Sequence, residues 1–132
     1  LFGPDNPSDS MQVSVLSYGF KHRVPIDVDM VFDVRFLPNP HWDEALRPFS
    51  GLDEPVKDYV FSQAVTGQFL AHVDNLLKLI LPAYVQEGRS YLTIGIGCTG
   101  GRHRSVAIAE ALGLSIAAHG YRPRVSHRDI NA

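Results

Sequence analysis

The residues best suited to chemistry crowd into one stretch, Gly97-Cys98-Thr99-Gly100-Gly101-Arg102-His103-Arg104-Ser105. Glycines free a backbone to aim several N–H groups at one point. Arg102, His103 and Arg104 add full or titratable positive charge, and Thr99 and Ser105 add hydroxyl donors. The chemistry this combination suits is capture of a compact anion, phosphate above all. The elements that must hold the stretch can be read on either side of it. Before it, Leu92, Ile94 and Ile96 mark a buried strand. After it, Val106, Ile108, Ala109, Leu112 and Ile116 recur at helical spacing. A glycine-rich turn that opens a helix presents free N–H groups and the positive end of the helix dipole.

Three known patterns overlap at this turn. Gly95-x-Gly97-x-x-Gly100 matches the dinucleotide fingerprint in letters. Its first two glycines fall inside the strand, and no acidic residue follows about 20 positions on, so that reading is set aside. The nucleoside-triphosphate P-loop fails, because no Gly-Lys-Ser/Thr follows a correctly spaced glycine. Cys98-x5-Arg104-Ser105 is similar to the signature loop of cysteine-dependent phosphatases, in which a thiolate attacks phosphorus while loop amides and the arginine hold the oxygens. It departs from the tyrosine phosphatases at Gly97, where they carry histidine. The plainer reading of Cys98, a small buried residue at a strand end, is preferred.

Composition bounds the rest. The chain has 132 residues, enough for one domain with a core, with 45% hydrophobic and 20% charged residues. A lone cysteine excludes an internal disulfide and fits a reducing compartment, so a cytoplasmic protein is expected. There is no apolar run of membrane-spanning length and no visible signal peptide. Residues 1–10 read as a linker, and the absence of an initial methionine suggests a fragment that lacks its N-terminal part. The net charge of −2 is uneven: residues 89–132 hold six arginines against Glu110 and Asp129, and residues 1–88 carry −6. Chance surface variation accounts for such asymmetry as well as an anion-binding face for a phosphorylated metabolite or RNA.

The remaining elements follow in order. Strands are expected near 12–18, 30–36, 91–97 and 124–127. Lys21, His22 and Arg23 cluster after the first, where solvated loop charge is the commoner reading. Asp33 and Arg35, two apart, share one face and suit an ion pair. Leu37–Pro55 carries four prolines and little periodicity; loops this long are functional or disordered. Phe36, Leu37, Trp42, Leu46, Phe49 and Leu52 are expected to anchor it, and the prolines to stiffen it around Asn39, His41 and Asp43. A helix is expected to start over 54–63, and a long amphipathic helix runs through Phe69, Val73, Leu77, Ile80, Leu81 and Val85, kinked at Pro82 and ended by Gly88. His72 and Lys78 read as solvated positions. The fold class is therefore α/β, a mostly parallel sheet of about four strands with flanking helices, binding at the carboxyl ends of its strands. Strand order is not readable. No repeat and no metal-type Cys/His spacing is present, and no metal or cofactor is expected.

Phe32-Asp33-Val34-Arg35-Phe36-Leu37-Pro38-Asn39-Pro40-His41-Trp42, Leu46-Arg47-Pro48, Gly51-Leu52-Asp53, Tyr91-Leu92-Thr93 and the loop from Gly97 to Val106 strongly resemble the RapZ/YvcJ family. The resemblance covers residues 11–129 and is to the C-terminal domain; an N-terminal P-loop domain binding ATP or GTP would precede it. It implies a fold similar to a phosphofructokinase subdomain and a regulatory role as an RNase adapter. Family members bind small regulatory RNAs, guide their decay by an endoribonuclease, and sense glucosamine-6-phosphate. On this basis the domain is expected not to be an enzyme and to work as a homo-oligomer. Candidate ligand-binding residues are Asn39, His41, Thr99, Gly100, Gly101, Arg102, His103, Arg104 and Ser105. Candidate RNA-binding residues are Lys21, Arg102, Arg104 and Arg128. Arg102 stands where the family often has lysine, and the chain ends without the lysine-rich tail of RNA-binding members.

Overall fold

The computed structural model describes residues 11–132, so the linker expected over 1–10 lies outside the described residues. Four strands form one sheet: β1 (Gln12–Gly19), β2 (Met30–Asp33), β3 (Tyr91–Cys98) and β4 (Arg124–His127). Their order is β2-β3-β1-β4, and every pairing is parallel. Val15 lies opposite Ile94 on one side and Val125 on the other. All four carboxyl ends therefore meet at one edge of the sheet. The three helices are α1 (Glu54–Phe61), α2 (Ala64–Glu87) and α3 (Arg104–Ala118).

β1 and β3 show why these residues form central strands. Val13 and Val15, with Leu92, Ile94, Ile96 and Cys98, are buried and alternate along their strands. That set faces α3, whose Val106, Ile108, Ala109, Leu112 and Ile116 supply the opposing surface. α1 and α2 pack on α3 in turn, adding Val56, Val60, Val73, Leu77 and Leu81 to the core. Burying a side chain of this size stabilises by roughly 1.5–3 kcal/mol. α2 ends on Gly88, which takes the left-handed conformation with φ +97° that closes a helix at low steric cost. Pro82 lies inside α2, and His72 and Lys78 are exposed on it. No helix among the described residues is long and apolar enough to cross a membrane.

Two expectations need correction. The second strand stops at Asp33 instead of Phe36. Asp33 Oδ1 accepts the Arg35 N–H at 2.9 Å, and Leu37 N–H donates to the Val34 carbonyl at 3.1 Å, so a turn replaces the ladder. The same Asp33 pairs with Arg35 at 2.6 Å, as its spacing suggested. The second correction concerns how the proline-rich loop is held. Of the six apolar anchors, Leu37 is buried and Leu46 half-buried, while Phe36, Trp42, Phe49 and Leu52 are exposed. The loop is held instead by polar groups from the β3–α3 turn.

Candidate anion-binding site

β3 runs straight into the turn 99–103, and α3 begins at Arg104. Two glycines let this turn lie against β1. Gly101 has φ +84°, and a Cβ there would come within 2.5 Å of the Gly19 nitrogen. A Cβ on Gly19 would come within 2.4 Å of the Gly100 carbonyl. Lys21 N–H donates to the Thr99 carbonyl at 3.2 Å, and Gly101 N–H to Cys98 Sγ at 3.3 Å. Among the described residues, the N–H groups of Thr99, Gly100, Arg102 and His103 have no protein acceptor.

A cavity of about 410 Å³ opens over this turn. Each strand's carboxyl end contributes to it: Lys21 and His22 after β1, Asn39, His41, Trp42 and Arg47 after β2, Cys98 to Arg104 from β3, and Ala132 after β4. The lining includes four permanent cations and three histidines, and no Asp or Glu side chain. Such a cavity attracts anions and repels cations. No group of three or more His, Cys, Asp or Glu residues among those described could hold a metal ion.

The basic side chains are also committed to the protein. Arg104 is 4% exposed. It donates from Nη1 to the carbonyls of Arg35 and Leu37 at 2.8 and 2.9 Å, while its Nε has no partner. Burial pushes its pKa down, against the charges of Cys98 and Asp33, which raise it. Arg102 donates to the carbonyls of Ile130 and Pro48, both at 2.7 Å. His103 Nε2 lies 3.2 Å from the Arg47 carbonyl. Burial lowers the His103 pKa, opposed by its contacts with the Arg47 and Phe49 carbonyls, so the ring is held neutral. His41 sits across from it, the two rings 6.4 Å apart, and Asn39 Oδ1 fixes the loop there by accepting the His41 N–H at 3.1 Å.

Of the nine residues expected to bind ligand, eight line the cavity. Ser105 does not: it is fully buried, with its Oγ 3.1 Å from Cys98 Sγ. Of the four residues nominated for RNA, Lys21, Arg102 and Arg104 line the cavity, and Arg128 binds Asp129 and the Arg23 carbonyl. Asp129 is buried and also accepts the Gly19 N–H at 2.7 Å; these bonds outweigh burial and hold its pKa below the usual carboxylate range. Sequence reasoning missed His22, Trp42 and Arg47 as ligand candidates. It also missed Gly19 and Gly51, whose close backbone contacts are with residues far away in the chain. Gly51 N–H donates to the Arg102 carbonyl at 2.9 Å, and a Cβ there would meet the His103 carbonyl at 2.4 Å.

Residues 11–131 match the family described as the RapZ C-terminal domain. The chain belongs to this family. Among its relatives, a nucleotide-binding protein of Desulforudis audaxviator is 45% identical over 130 residues, 98% of this chain and 44% of that protein. One from Trichlorobacter lovleyi is 54% identical over 123 residues, 93% and 43%. Another from Frankia casuarinae is 52% identical over 129 residues, 98% and 44%. The chain thus spans less than half the length of these relatives, and "nucleotide-binding" describes the whole relatives. The RapZ-type assignment agrees with the cavity: the loop that carries much of the resemblance also lines it.

Proposed function

We propose that this RapZ-type domain is a non-enzymatic binding module that senses glucosamine-6-phosphate in the cavity at the strand ends. The observation that carries the reading is the cavity itself. It falls within the usual size range of small-molecule sites, and it is lined by Lys21, Arg47, Arg102 and Arg104 without an opposing carboxylate side chain. In this reading the backbone of Thr99 to His103 and the Arg104 guanidinium take the phosphate, and His41 and Asn39 meet the sugar. Gly100 gives a clean test, since a Cβ there meets nothing within 4 Å. Titration calorimetry should detect glucosamine-6-phosphate binding to the wild type. Gly100→Leu should weaken it at least about tenfold without lowering thermal stability, by denying close approach to the turn. ATP and GTP serve as comparison ligands, because the relatives are called nucleotide-binding. Absence of any hexose phosphate binding, or undiminished binding in Gly100→Leu, would sink the reading.

The second part of the proposal is that the domain, as a homo-oligomer, binds small regulatory RNA for an endoribonuclease. Lys21, Arg102 and Arg104 supply charge at the cavity, and Arg128 lies outside its lining. Phosphate contacts make nucleic-acid affinity fall steeply with salt, and several linked copies raise it by avidity. A ligand in the cavity competes with an RNA phosphate for the same donors. A salt titration of binding to a structured RNA, with and without saturating glucosamine-6-phosphate, tests this. Affinity unchanged by the sugar phosphate would refute a shared site.

One observation favours a phosphatase-like reading: Gly101 N–H donates to Cys98 Sγ and Ser105 Oγ lies 3.1 Å from it, where a hydroxyl can donate to a nucleophilic thiolate. A phosphatase also needs a carboxylic acid to protonate the leaving group, and neither candidate acid, Asp33 or Asp43, lines the cavity. Turnover of p-nitrophenyl phosphate that vanishes in Cys98→Ser would replace sensing with catalysis.

A further inference from the structure

The cavity wall is rich in donors and has no acidic side chain. Four of its carbonyls are already in use: Thr99 by Lys21 N–H, His41 by the Arg47 guanidinium at 2.8 Å, Arg47 by His103, Arg102 by Gly51 N–H. The acidic side chains at this end of the sheet are engaged elsewhere. Asp33 is paired with Arg35, Asp43 accepts the Ala45 N–H at 2.9 Å, and Asp129 is buried against Arg128 and Gly19. Ala132 borders the cavity without a side-chain carboxylate. Such a wall suits a phosphate, but it offers a protonated amine no anionic partner.

One lining group has the opposite character. Trp42 borders the cavity and is 78% exposed, although the indole is the largest apolar side chain in the protein. Its ring stands 5.7 Å from His41 and nearly perpendicular to it, and His41 stands 6.4 Å from His103. His41 thus neighbours both Trp42 and His103, the last of which belongs to the turn. The face of an indole carries negative potential and attracts ammonium groups more strongly than the other aromatic side chains do.

We propose that Trp42 takes the ligand's ammonium group and so sets the preference for an amino-sugar phosphate over the uncharged hexose phosphate. The inference rests on the sugar-phosphate reading above, with the turn holding the phosphate at one end and the indole holding the amine at the other.

The test measures two ligands, glucosamine-6-phosphate and glucose-6-phosphate, against the wild type, Trp42→Leu, Trp42→Phe and Asp33→Asn at near-neutral pH. Trp42 is exposed and Asp33 is at the surface, so the variants fold. The wild type should prefer the amino sugar. Trp42→Leu should weaken glucosamine-6-phosphate by about 3- to 20-fold and leave glucose-6-phosphate within about twofold, with Trp42→Phe intermediate. Asp33→Asn should keep the preference. Equal weakening of both ligands in Trp42→Leu would overturn the proposal, since the indole would then only stack on the sugar ring. Loss of the preference in Asp33→Asn, or no preference in the wild type, would overturn it as well. If neither sugar phosphate binds the wild type, the sensing reading itself falls; if both bind and Trp42 leaves their ratio unchanged, only this inference does.

Discussion

Two loops meet at the cavity, and they are held in different ways. The β3–α3 turn, 99–103, is short and largely sets its own shape. Gly101 supplies the positive φ, and the Gly101 N–H closes on Cys98 Sγ. The loop between β2 and α1 is long, and of its large apolar side chains only Leu37 is fully buried while Phe36, Trp42, Phe49 and Leu52 are exposed. Its carbonyls at Arg35, Leu37, Arg47 and Pro48 are met by Arg104, His103 and Arg102 from the turn. The comparison teaches that one cluster of basic residues serves two purposes. Their charge makes the cavity attractive to anions, while most of their directed donors support the neighbouring loop. On the proposed sensing role, ligand contacts would fall to the backbone N–H groups of the turn and to rim residues such as Lys21 and His41.

The largest effect should come from breaking the contact between the two loops. Gly51→Ala forces a Cβ to within 2.4 Å of the His103 carbonyl and 2.6 Å of the Ala107 nitrogen, and backbone atoms cannot yield as a flexible side chain can. A loss of about 3 kcal/mol or more is expected in denaturant unfolding. A loss under about 0.5 kcal/mol would mean that the loops do not touch there. Next comes Arg104→Lys, which keeps the charge but loses the planar guanidinium whose Nη1 donates to both carbonyls. It should cost about 2–3 kcal/mol and speed amide exchange in 37–53 more than in 91–98. Equal acceleration in both segments would remove the asymmetry between the loops.

A smaller effect is a pH dependence from His103. Burial depresses its folded-state pKa, so the unfolded chain takes up the proton first as pH falls. Its contribution is fully present above the ordinary imidazole value of about 6.5 and declines as pH drops below it towards the depressed value, by at most about 1.4 kcal/mol per pH unit. Stability curves of the wild type and His103→Gln should therefore converge towards acid pH; parallel curves would show that the ring is not desolvated. The smallest effect serves as a control. Gly67 lies in α2, away from both loops, with open space around its Cβ position. Gly67→Ala should stabilise by about 0.5–1 kcal/mol, the reverse of Gly51→Ala.

Much of the site could be read in the chain because its chemistry is local. Thr99, Gly100, Gly101, Arg102, His103 and Arg104 are contiguous, and strand-turn-helix spacing placed them together at one edge. Asn39 came from the proline-stiffened loop and His41 was raised by the family resemblance, and the structure sets both at the cavity. Trp42 and Arg47 were harder to find, because an exposed tryptophan and a loop arginine have no periodicity that marks them. Ser105 misled for the opposite reason. A hydroxyl at the first turn of a helix looks available, yet helical rotation carries it inward to Cys98.

The sequence by itself determined the alternation of β1 and β3, the amphipathic helices, the αL stop at Gly88 and the basic, glycine-rich character of the β3–α3 turn. Each of these depends on interactions within a few residues or on a repeating pattern. Tertiary structure alone decided the strand order β2-β3-β1-β4, the early end of β2 at Asp33 and which partner each arginine keeps. It also decided that Gly19 and Gly51 must lack side chains, because the atoms they would strike are supplied by residues more than 50 positions away. Close packing between distant segments leaves no local periodicity to read, so the loop-to-loop contacts that shape the cavity emerge only when the four strand ends are brought to one edge.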